Sequence, residues 1–208
     1  MTDTRTFYDT IAEDYAARFR DPLAGRPLER ALLAAYAEQV GPGPVADLGC
    51  GPGEVTAHLA GLGLSVHGLD LSGAMVAIAR RTFPGLRFEQ GSMRELSLAD
   101  GSLAGVVSWY SSVHTPAAEL PELFAEFHRV LAPGGRLLLA FQAGDAPLRV
   151  DRPWGLPVVL DFHRRRPEHM AGLLSDAGFT VHSRTVRERE EALGESAPQA
   201  FLLAQKKG

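Results

Sequence analysis

Two acidic residues and a glycine-rich turn are the chemically most distinctive part of this 208-residue sequence. Asp47 ends an apolar run, and glycine then occupies every second position of residues 49–53. Because glycine lacks a Cβ atom, a ligand can approach the backbone of this turn closely. The helix expected to begin at Glu54 offers free N–H groups and the positive end of its dipole. Asp70 ends the next apolar run and offers a carboxylate to the hydroxyls of a ribose. Together these residues predict a site for a nucleoside-bearing cofactor.

The glycine-rich turn has two other interpretations, a tight connection that binds nothing and a dinucleotide-binding turn. The dinucleotide fingerprint is G-x-G-x-x-G, followed by a helix whose first turn faces a pyrophosphate. Here the spacing is G-x-G-x-G, and Asp47 and Glu54 would bring two carboxylates close to a pyrophosphate. The residues therefore favour a cationic or zwitterionic ligand over NAD(P), and a turn without a ligand stays open.

His114 is the candidate for a catalytic base. It lies just past the fourth predicted strand, on the side where the ligand is expected. An unperturbed imidazole titrates near about pH 6.5, which suits a base at neutral pH. The structural alternative is a cap, since His114 directly precedes Thr115 and Pro116 and could close the next turn.

Alternating strands and helices position these residues. Short apolar runs predict strands over 45–48, 65–69, 86–89, 103–108 and 136–141. Helical patterns between them predict helices over 54–60, 73–82 and 119–131. This alternation predicts an α/β fold with a parallel sheet and helices on both faces, in which all strands end on the ligand side. Two further alternating runs, at 179–187 and 199–205, predict a closing antiparallel hairpin.

Composition limits the class of protein. The formal net charge of −4 argues against a nucleic-acid binder that works by broad neutralisation of phosphates. The single cysteine, Cys50, excludes a disulfide or a cysteine-based metal cluster within this sequence, and no metal-ligand spacing is present. No apolar run approaches the roughly 18 residues of a membrane-spanning helix, and residues 1–5 lack the pattern of a secretory signal. We expect a cytoplasmic protein that binds neither a membrane nor nucleic acid.

Several motifs, in the same order, resemble those of the class I S-adenosylmethionine-dependent methyltransferases. The matching stretches are residues 47–53 (first motif), 68–72 with Met75 (second motif), 90–93 (the adenine-contacting turn) and 131–137 (the entry to the fifth strand). The pattern Y-D-x-x-A-x-x-Y-x-x-R-F over residues 8–19 resembles the N-terminal helix of the branch that acts on small molecules. The resemblance covers about residues 7–141.

The resemblance implies a three-layer, doubly wound, Rossmann-like fold with a seven-stranded, mostly parallel sheet. It also implies in-line transfer of a methyl group from S-adenosylmethionine to an O or N atom of a small molecule. The implied cofactor contacts are Tyr15, Asp47, Gly49, Cys50, Gly51, Gly53, Asp70, Leu71, Met75, Gly91, Ser92, Met93, Trp109 and Tyr110. Many relatives have an aspartate where Ser92 stands, so a serine hydroxyl replaces a carboxylate at the adenine contact here. A protein of the same fold that binds S-adenosylmethionine without transferring its methyl group is the alternative, and a nicotinamide-dependent oxidoreductase is disfavoured.

Particular roles follow from the same resemblance. Asp47 lies near the amino-acid part of the cofactor, often through water, and Asp70 accepts both ribose hydroxyls. Trp109 and Tyr110 flank the sulfonium, where aromatic faces stabilise a cation. His114 acts as a base or positions the acceptor.

We expect one domain over residues 1–208 with four regions. These are an N-terminal helical cap (1–43), the cofactor-binding core (44–141), an acceptor-side loop (142–166) and a helix with the closing hairpin (167–208). The cap has predicted helices over 3–20 and 27–39, and the buried face of the first is predicted to carry Tyr8, Ile11, Ala12, Tyr15 and Phe19. The acceptor-side loop is rich in glycine and proline and contains several arginines, which either bind an acidic substrate or form a solvated face.

Overall fold

The computed structural model describes residues 2–208 and contains alternating strands and helices. The helices are α1 (Thr4–Arg18), α2 (Pro27–Gln39), α3 (Glu54–Gly61), α4 (Gly73–Thr82), α5 (Leu120–Val130) and α6 (Pro167–Asp176). The strands are β1 (Pro44–Leu48), β2 (Ser65–Asp70), β3 (Arg87–Gln90), β4 (Leu103–Trp109), β5 (Leu131–Gln142), β6 (Leu148–Asp151), β7 (Val159–Phe162), β8 (Phe179–Arg187) and β9 (Gln199–Lys206). Over these residues, no helix has both the length and the apolar content that crossing a bilayer requires.

Seven strands form one sheet in the order β3-β2-β1-β4-β5-β9-β8. Strands β1 to β5 pair in parallel, and β9 runs antiparallel to both of its neighbours, β5 and β8. The predicted α/β class, the seven-stranded, mostly parallel sheet and the closing antiparallel hairpin are confirmed. The strand order reverses between β1 and β4, which opens a crevice at their carboxyl ends where sheets of this kind bind ligands.

Helices cover both faces of the sheet and make the fold three layers thick. Successive residues of β5 point to opposite faces, as a strand requires. Leu137 and Leu139 join a core cluster with Phe124 of α5, whereas Leu138 joins a second cluster with Leu33 of α2. The sheet is thereby held rigidly between two apolar cores, and its strand ends can carry polar groups.

Two side-chain caps fix where the helices beside the crevice begin. The carboxylate of Asp3 accepts a hydrogen bond from the backbone N–H of Thr6 at 3.0 Å, at the start of α1. The hydroxyl of Ser72 accepts one from the N–H of Met75 at 3.1 Å, at the start of α4. Both caps satisfy N–H groups that have no partner within the helix.

The expectation of an irregular loop over residues 142–166 is wrong. Strands β6 and β7 form an antiparallel hairpin within this segment, and its glycine and prolines at 153–157 lie in the connection. Leu160 of β7 is buried against Phe7 and Ile11 of α1, so the hairpin is anchored to the N-terminal helix. Each strand has only four residues, which is too short for a clear alternating pattern in the sequence.

The predicted burial of Phe19 is also wrong. Helix α1 ends at Arg18, so Phe19 no longer follows the helical spacing from Tyr15, and its side chain is 43% exposed. Phe7 supplies the buried aromatic ring of α1 instead. Phe19 is thereby placed at the rim of a cavity, where it becomes relevant to ligand binding.

Candidate functional site

The glycine-rich turn between β1 and α3 forms the floor of the crevice. Its three glycines have φ angles of 78°, 53° and 94°, in the left-handed region that favours glycine. A Cβ atom on Gly49 would lie 2.2 Å from the side chain of Ser111, and one on Gly53 would lie 2.8 Å from the ring of Phe88. A Cβ atom on Gly51 would meet nothing within 4 Å. Gly49 and Gly53 therefore serve close packing, and Gly51 is the glycine that leaves open space for a ligand.

Asp70 stands at the end of β2 with its carboxylate held by the backbone. One carboxylate oxygen accepts from the N–H of Gly51 and the other from the N–H of Ser72, each at 2.8 Å. Burial raises the pKa of this carboxyl, while the two N–H groups oppose that rise. Each oxygen keeps a lone pair for a second hydrogen bond, so Asp70 can receive two hydroxyl groups from the cavity.

Asp47 is the second-to-last residue of β1 and is fully buried. One carboxylate oxygen accepts from the hydroxyl of Thr56 at 2.6 Å, whereas the other is buried and has no hydrogen-bond partner within residues 2–208. Burial raises the pKa of Asp47 from an ordinary 3.8 to about 7. The buried, unpartnered oxygen is ready to accept a hydrogen bond from a cationic or polar ligand group.

Helix α1 closes the crevice from above and is tied to α4. The carboxylate of Asp9 accepts from the hydroxyl of Ser72 at 2.6 Å and from the N–H of Ala74 at 3.1 Å. This contact fixes α1 across the entrance to the site. It is absent from the sequence-based prediction because it joins residues more than sixty positions apart.

His114 lies on the cavity wall, and its Nε2 atom is 2.8 Å from the hydroxyl of Tyr8. The ring of Phe162 packs edge-on against it with centroids 4.6 Å apart. Burial in these surroundings lowers the pKa of His114 to about 4, so the imidazole is neutral at pH 7. The nitrogen that would act as a base is thus engaged by Tyr8.

These groups line two adjoining cavities. The smaller has a volume of about 250 Å³ and the larger about 660 Å³. The residues that line both cavities, and so form their junction, are Tyr8, Tyr15, Gly49, Gly51, Trp109 and Tyr110. A ligand in the smaller cavity can therefore meet a second ligand in the larger one at this junction.

Most residues predicted for the site line the smaller cavity. They are Tyr15, Gly49, Gly51, Asp70, Leu71, Met75, Gly91, Ser92, Met93, Trp109, Tyr110 and His114. Asp47 and Cys50 line only the larger cavity, and Gly53 lines neither. The hydroxyl of Ser92 accepts from the backbone N–H of Arg94 at 3.2 Å.

Other residues of the smaller cavity do not appear among the predicted site residues. They are Thr4, Tyr8, Leu69, Ser72, Arg94, Ser111, Thr115, Pro116 and Glu119. Tyr8 and Tyr15 lie on the same face of α1, at an i, i+7 spacing. This spacing is the signal in the sequence that indicates that Tyr8 also faces the cavity.

Comparison with known proteins gives a family match over the core of the crevice. Residues 45–135 match the family described as "Methyltransferase domain". A demethylmenaquinone methyltransferase from Chlorobaculum parvum is 36% identical over 92 residues, which are 44% of this chain and 37% of that protein. An uncharacterized 37.1 kDa protein in transposon TN4556 of Streptomyces fradiae is 32% identical over 202 residues, covering 87% of this chain and 53% of that protein. The chain thus spans about half the length, or less, of these two relatives.

Solved structures share the fold. The 1,6-didemethyltoxoflavin-N1-methyltransferase of Burkholderia thailandensis, solved with 1,6-didemethyltoxoflavin and S-adenosylhomocysteine, superposes with a TM-score of 0.74. The match covers 98% of this chain and 87% of that chain at 22% sequence identity. At this identity the likeness establishes a common fold.

Proposed function

We propose that this chain is a class I S-adenosylmethionine-dependent methyltransferase that methylates an O or N atom of a small molecule, because its residues 45–135 match the family described as "Methyltransferase domain". The observation that carries the proposal is the carboxylate of Asp70, which backbone N–H groups hold on the wall of the smaller cavity. Its free lone pairs suit the two hydroxyls of a ribose. The B. thailandensis methyltransferase of the same fold was solved with both 1,6-didemethyltoxoflavin and S-adenosylhomocysteine bound, which supports the proposal of a cofactor and a small-molecule acceptor here.

The cofactor, when bound, supplies an electrophilic methyl group on a sulfonium. The residues of this chain would orient it: Asp70 receives the ribose in the smaller cavity, and the amino-acid part crosses the junction so that the free oxygen of Asp47 receives the ammonium group. The aromatic faces of Trp109 and Tyr110 stand at the junction, where they stabilise positive charge. Orientation of this kind, with water excluded by α1, can supply several kcal/mol of the acceleration, up to about 7–11 kcal/mol in ideal cases.

His114 acts in this proposal as a positioning residue. Its Nε2 atom fixes the hydroxyl of Tyr8, and Tyr8 lines both cavities at the point where the acceptor meets the methyl group. An acceptor that loses a proton before or during attack needs a base, and a neutral imidazole with a pKa of about 4 is a weak one at pH 7. The site therefore suits an acceptor atom that is already nucleophilic.

Isothermal titration with S-adenosylmethionine and S-adenosylhomocysteine tests the cofactor assignment. Asp70→Ala is expected to weaken binding about 100-fold, because two hydrogen bonds to a charged group are each worth about 1.5–3 kcal/mol. Asp176→Ala is the matched control, since Asp176 is an exposed carboxylate remote from both cavities. Wild-type affinity in the Asp70 variant, or binding of NAD(P)H in place of S-adenosylhomocysteine, would contradict the proposal.

Methyl transfer itself is tested by release of S-adenosylhomocysteine in the presence of an acceptor panel. Tight cofactor binding with no release from any acceptor would favour the alternative, a protein of this fold that binds S-adenosylmethionine without transferring its methyl group.

A further inference from the structure

One wall of the larger cavity is a row of aromatic rings formed by Tyr8, Tyr15, Phe19 and Trp154, which we call the aromatic wall. The centroids of successive rings are 6.1, 4.7 and 6.5 Å apart. Tyr8 and Tyr15 stand at the junction with the smaller cavity, and Trp154, at the outer end, is 40% exposed. Aromatic rings attract other rings in offset and edge-to-face arrangements. The aromatic wall therefore suits a flat ring system that extends from the junction towards the rim.

Five carboxylates line the larger cavity, those of Asp21, Glu29, Asp47, Glu54 and Glu195, and only two cations line it, Arg18 and Arg26. Arg26 lies 2.5 Å from Glu195 and 3.7 Å from Glu29. Arg187 lies 2.7 Å from the carboxylates of both glutamates. These two arginines and two glutamates carry no net charge. Arg18 also lines the cavity, but its guanidinium sits 4.9 Å from the outermost ring of the aromatic wall, on the exposed side.

The arginine run at 164–166 is no source of positive charge for this cavity. None of the three residues lines either cavity. Arg164 donates to Ser196, Arg165 donates to the carbonyl of Thr115, and Arg166 is paired with an aspartate on the surface. A carboxylate or phosphate in the cavity would lose its hydration and find no free interior cation among residues 2–208, which is unfavourable.

Three polar atoms of the larger cavity have no hydrogen-bond partner in the described residues, and one of them, the Asp47 oxygen, is assigned to the cofactor in the proposed function. The hydroxyl oxygen of Tyr110 and the Oε1 atom of Gln142 are both buried, and neither has a hydrogen-bond partner in the described part of the chain. A buried polar group without a partner costs about 1–3 kcal/mol, so a ligand that satisfies both gains affinity and a fixed orientation. Oε1 accepts hydrogen bonds, which requires an O–H or N–H group on the ligand.

From these observations we infer that the methyl acceptor is a flat aromatic molecule that has no acidic group and carries an O–H or N–H group. Its ring stacks along the aromatic wall, and its polar group reaches Gln142 and Tyr110. The inference rests on the proposed function, because it names the acceptor class of that site.

The test uses matched ring compounds on the wild-type protein saturated with S-adenosylhomocysteine. Each naphthalene probe is supplied as the carboxamide, the carboxylate and the aminomethyl compound. Both tryptophans of the sequence, Trp109 and Trp154, line the cavity, so their fluorescence reports its occupancy directly. The carboxamide and the aminomethyl compound are each expected to bind at least about tenfold more tightly than the carboxylate, a difference of about 1.4 kcal/mol.

Three variants locate the bound probe. Gln142→Met is expected to weaken carboxamide binding about fivefold, and Trp154→Leu is expected to weaken all the aromatic probes. Leu62→Ala is the matched control, because Leu62 is 39% exposed, almost as much as Trp154, and lines neither cavity. S-adenosylhomocysteine affinity stays within about twofold in all three, since none of these side chains lines the smaller cavity.

The inference is overturned if a carboxylate probe binds most tightly, or if no aromatic probe binds the saturated protein. It is also overturned if Gln142→Met and Trp154→Leu bind the carboxamide as well as Leu62→Ala does. Failure of S-adenosylhomocysteine to bind is a separate result that contradicts the proposed function. In that case the probes are titrated into the protein without S-adenosylhomocysteine, and their relative affinities alone test the inference.

Discussion

Replacing Asp47 by asparagine is expected to stabilise the ligand-free protein and to weaken cofactor binding. The side chain is buried with one oxygen unpartnered, and burial raises its pKa from an ordinary 3.8 to about 7. Between those pH values the folded protein holds a proton that the unfolded chain has released. Stability therefore falls as the pH rises from about 4 to about 7. Asparagine removes this charge and keeps a carbonyl oxygen that can accept from Thr56.

The size of the effect of Asp47→Asn follows from the pKa shift. Each pKa unit is worth about 1.4 kcal/mol, so the ionised carboxylate costs the ligand-free protein about 4 kcal/mol at about pH 8. At about pH 5 the folded protein keeps Asp47 protonated, and the cost is only about 2 kcal/mol. Asp47→Asn is thus expected to raise the free energy of unfolding by up to these amounts, measured by urea denaturation at the two pH values.

Asp47→Asn should weaken cofactor binding, although it stabilises the ligand-free protein. In the proposed function the ionised form of Asp47 attracts the ammonium group of S-adenosylhomocysteine, so wild-type affinity is expected to fall about tenfold between about pH 8 and pH 6. Titration calorimetry on Asp47→Asn should show weaker binding and a flat pH profile over that range. Asp176→Asn, on the exposed end of α6, is the control and should change neither quantity.

Three results would refute this reasoning about Asp47. One is a loss of stability in Asp47→Asn at both pH values. Another is a gain in stability that is equal at both. The third is wild-type affinity for S-adenosylhomocysteine in the variant.

Other substitutions test neighbouring parts of the site. Gly49→Ala should lower the melting temperature sharply, because its Cβ would lie 2.2 Å from a side chain. Gly51→Ala should cost only about 1–2 kcal/mol of backbone strain but abolish measurable cofactor binding, as melting curves and calorimetry will show. Tyr8→Phe should leave the pKa of His114 at about 4 in an NMR titration, because burial, which the phenyl ring preserves, is the main cause of the low value; a return to the ordinary 6.5 refutes burial as the cause. Glu29→Ala should lower the free energy of unfolding by about 1.5–3 kcal/mol in urea, because Arg187 keeps Glu195 but loses its hydrogen bond to a buried carboxylate; a change below about 0.5 kcal/mol contradicts this.

The half of the site at the strand ends could be predicted from the sequence because its geometry is local. Asp47 and Asp70 lie in the last two positions of adjacent parallel strands, and such strands place their carboxyl ends at one edge. The glycine spacing likewise predicts a tight turn at 49–53. The spacing does not reveal that Gly49 and Gly53 serve close packing. The side chains that approach these two glycines, Ser111 and Phe88, are distant in sequence.

The other half of the site depends on contacts that join remote segments. Tyr8 meets His114 across 106 positions, and the hairpin of β6 and β7 packs on α1 through buried apolar side chains. Neither contact has a periodic or local pattern in the sequence. Phe19 shows the same limit, because its exposure follows from the point at which α1 ends, and helix ends are the least certain part of a prediction by periodicity.

The two aspartates at the strand ends differ in a way that explains how one crevice holds two parts of a charged ligand. Asp70 already receives two backbone N–H groups, which stabilise its charge and leave it suited to neutral hydroxyls. Asp47 has one hydroxyl donor and one empty oxygen, so its charge is stabilised fully only when a cation arrives. The protein thus stays less stable without its ligand at neutral pH, and binding of a zwitterion relieves the cost. A cofactor analogue that lacks the ammonium group should therefore lose affinity in the wild type and lose almost none in Asp47→Asn.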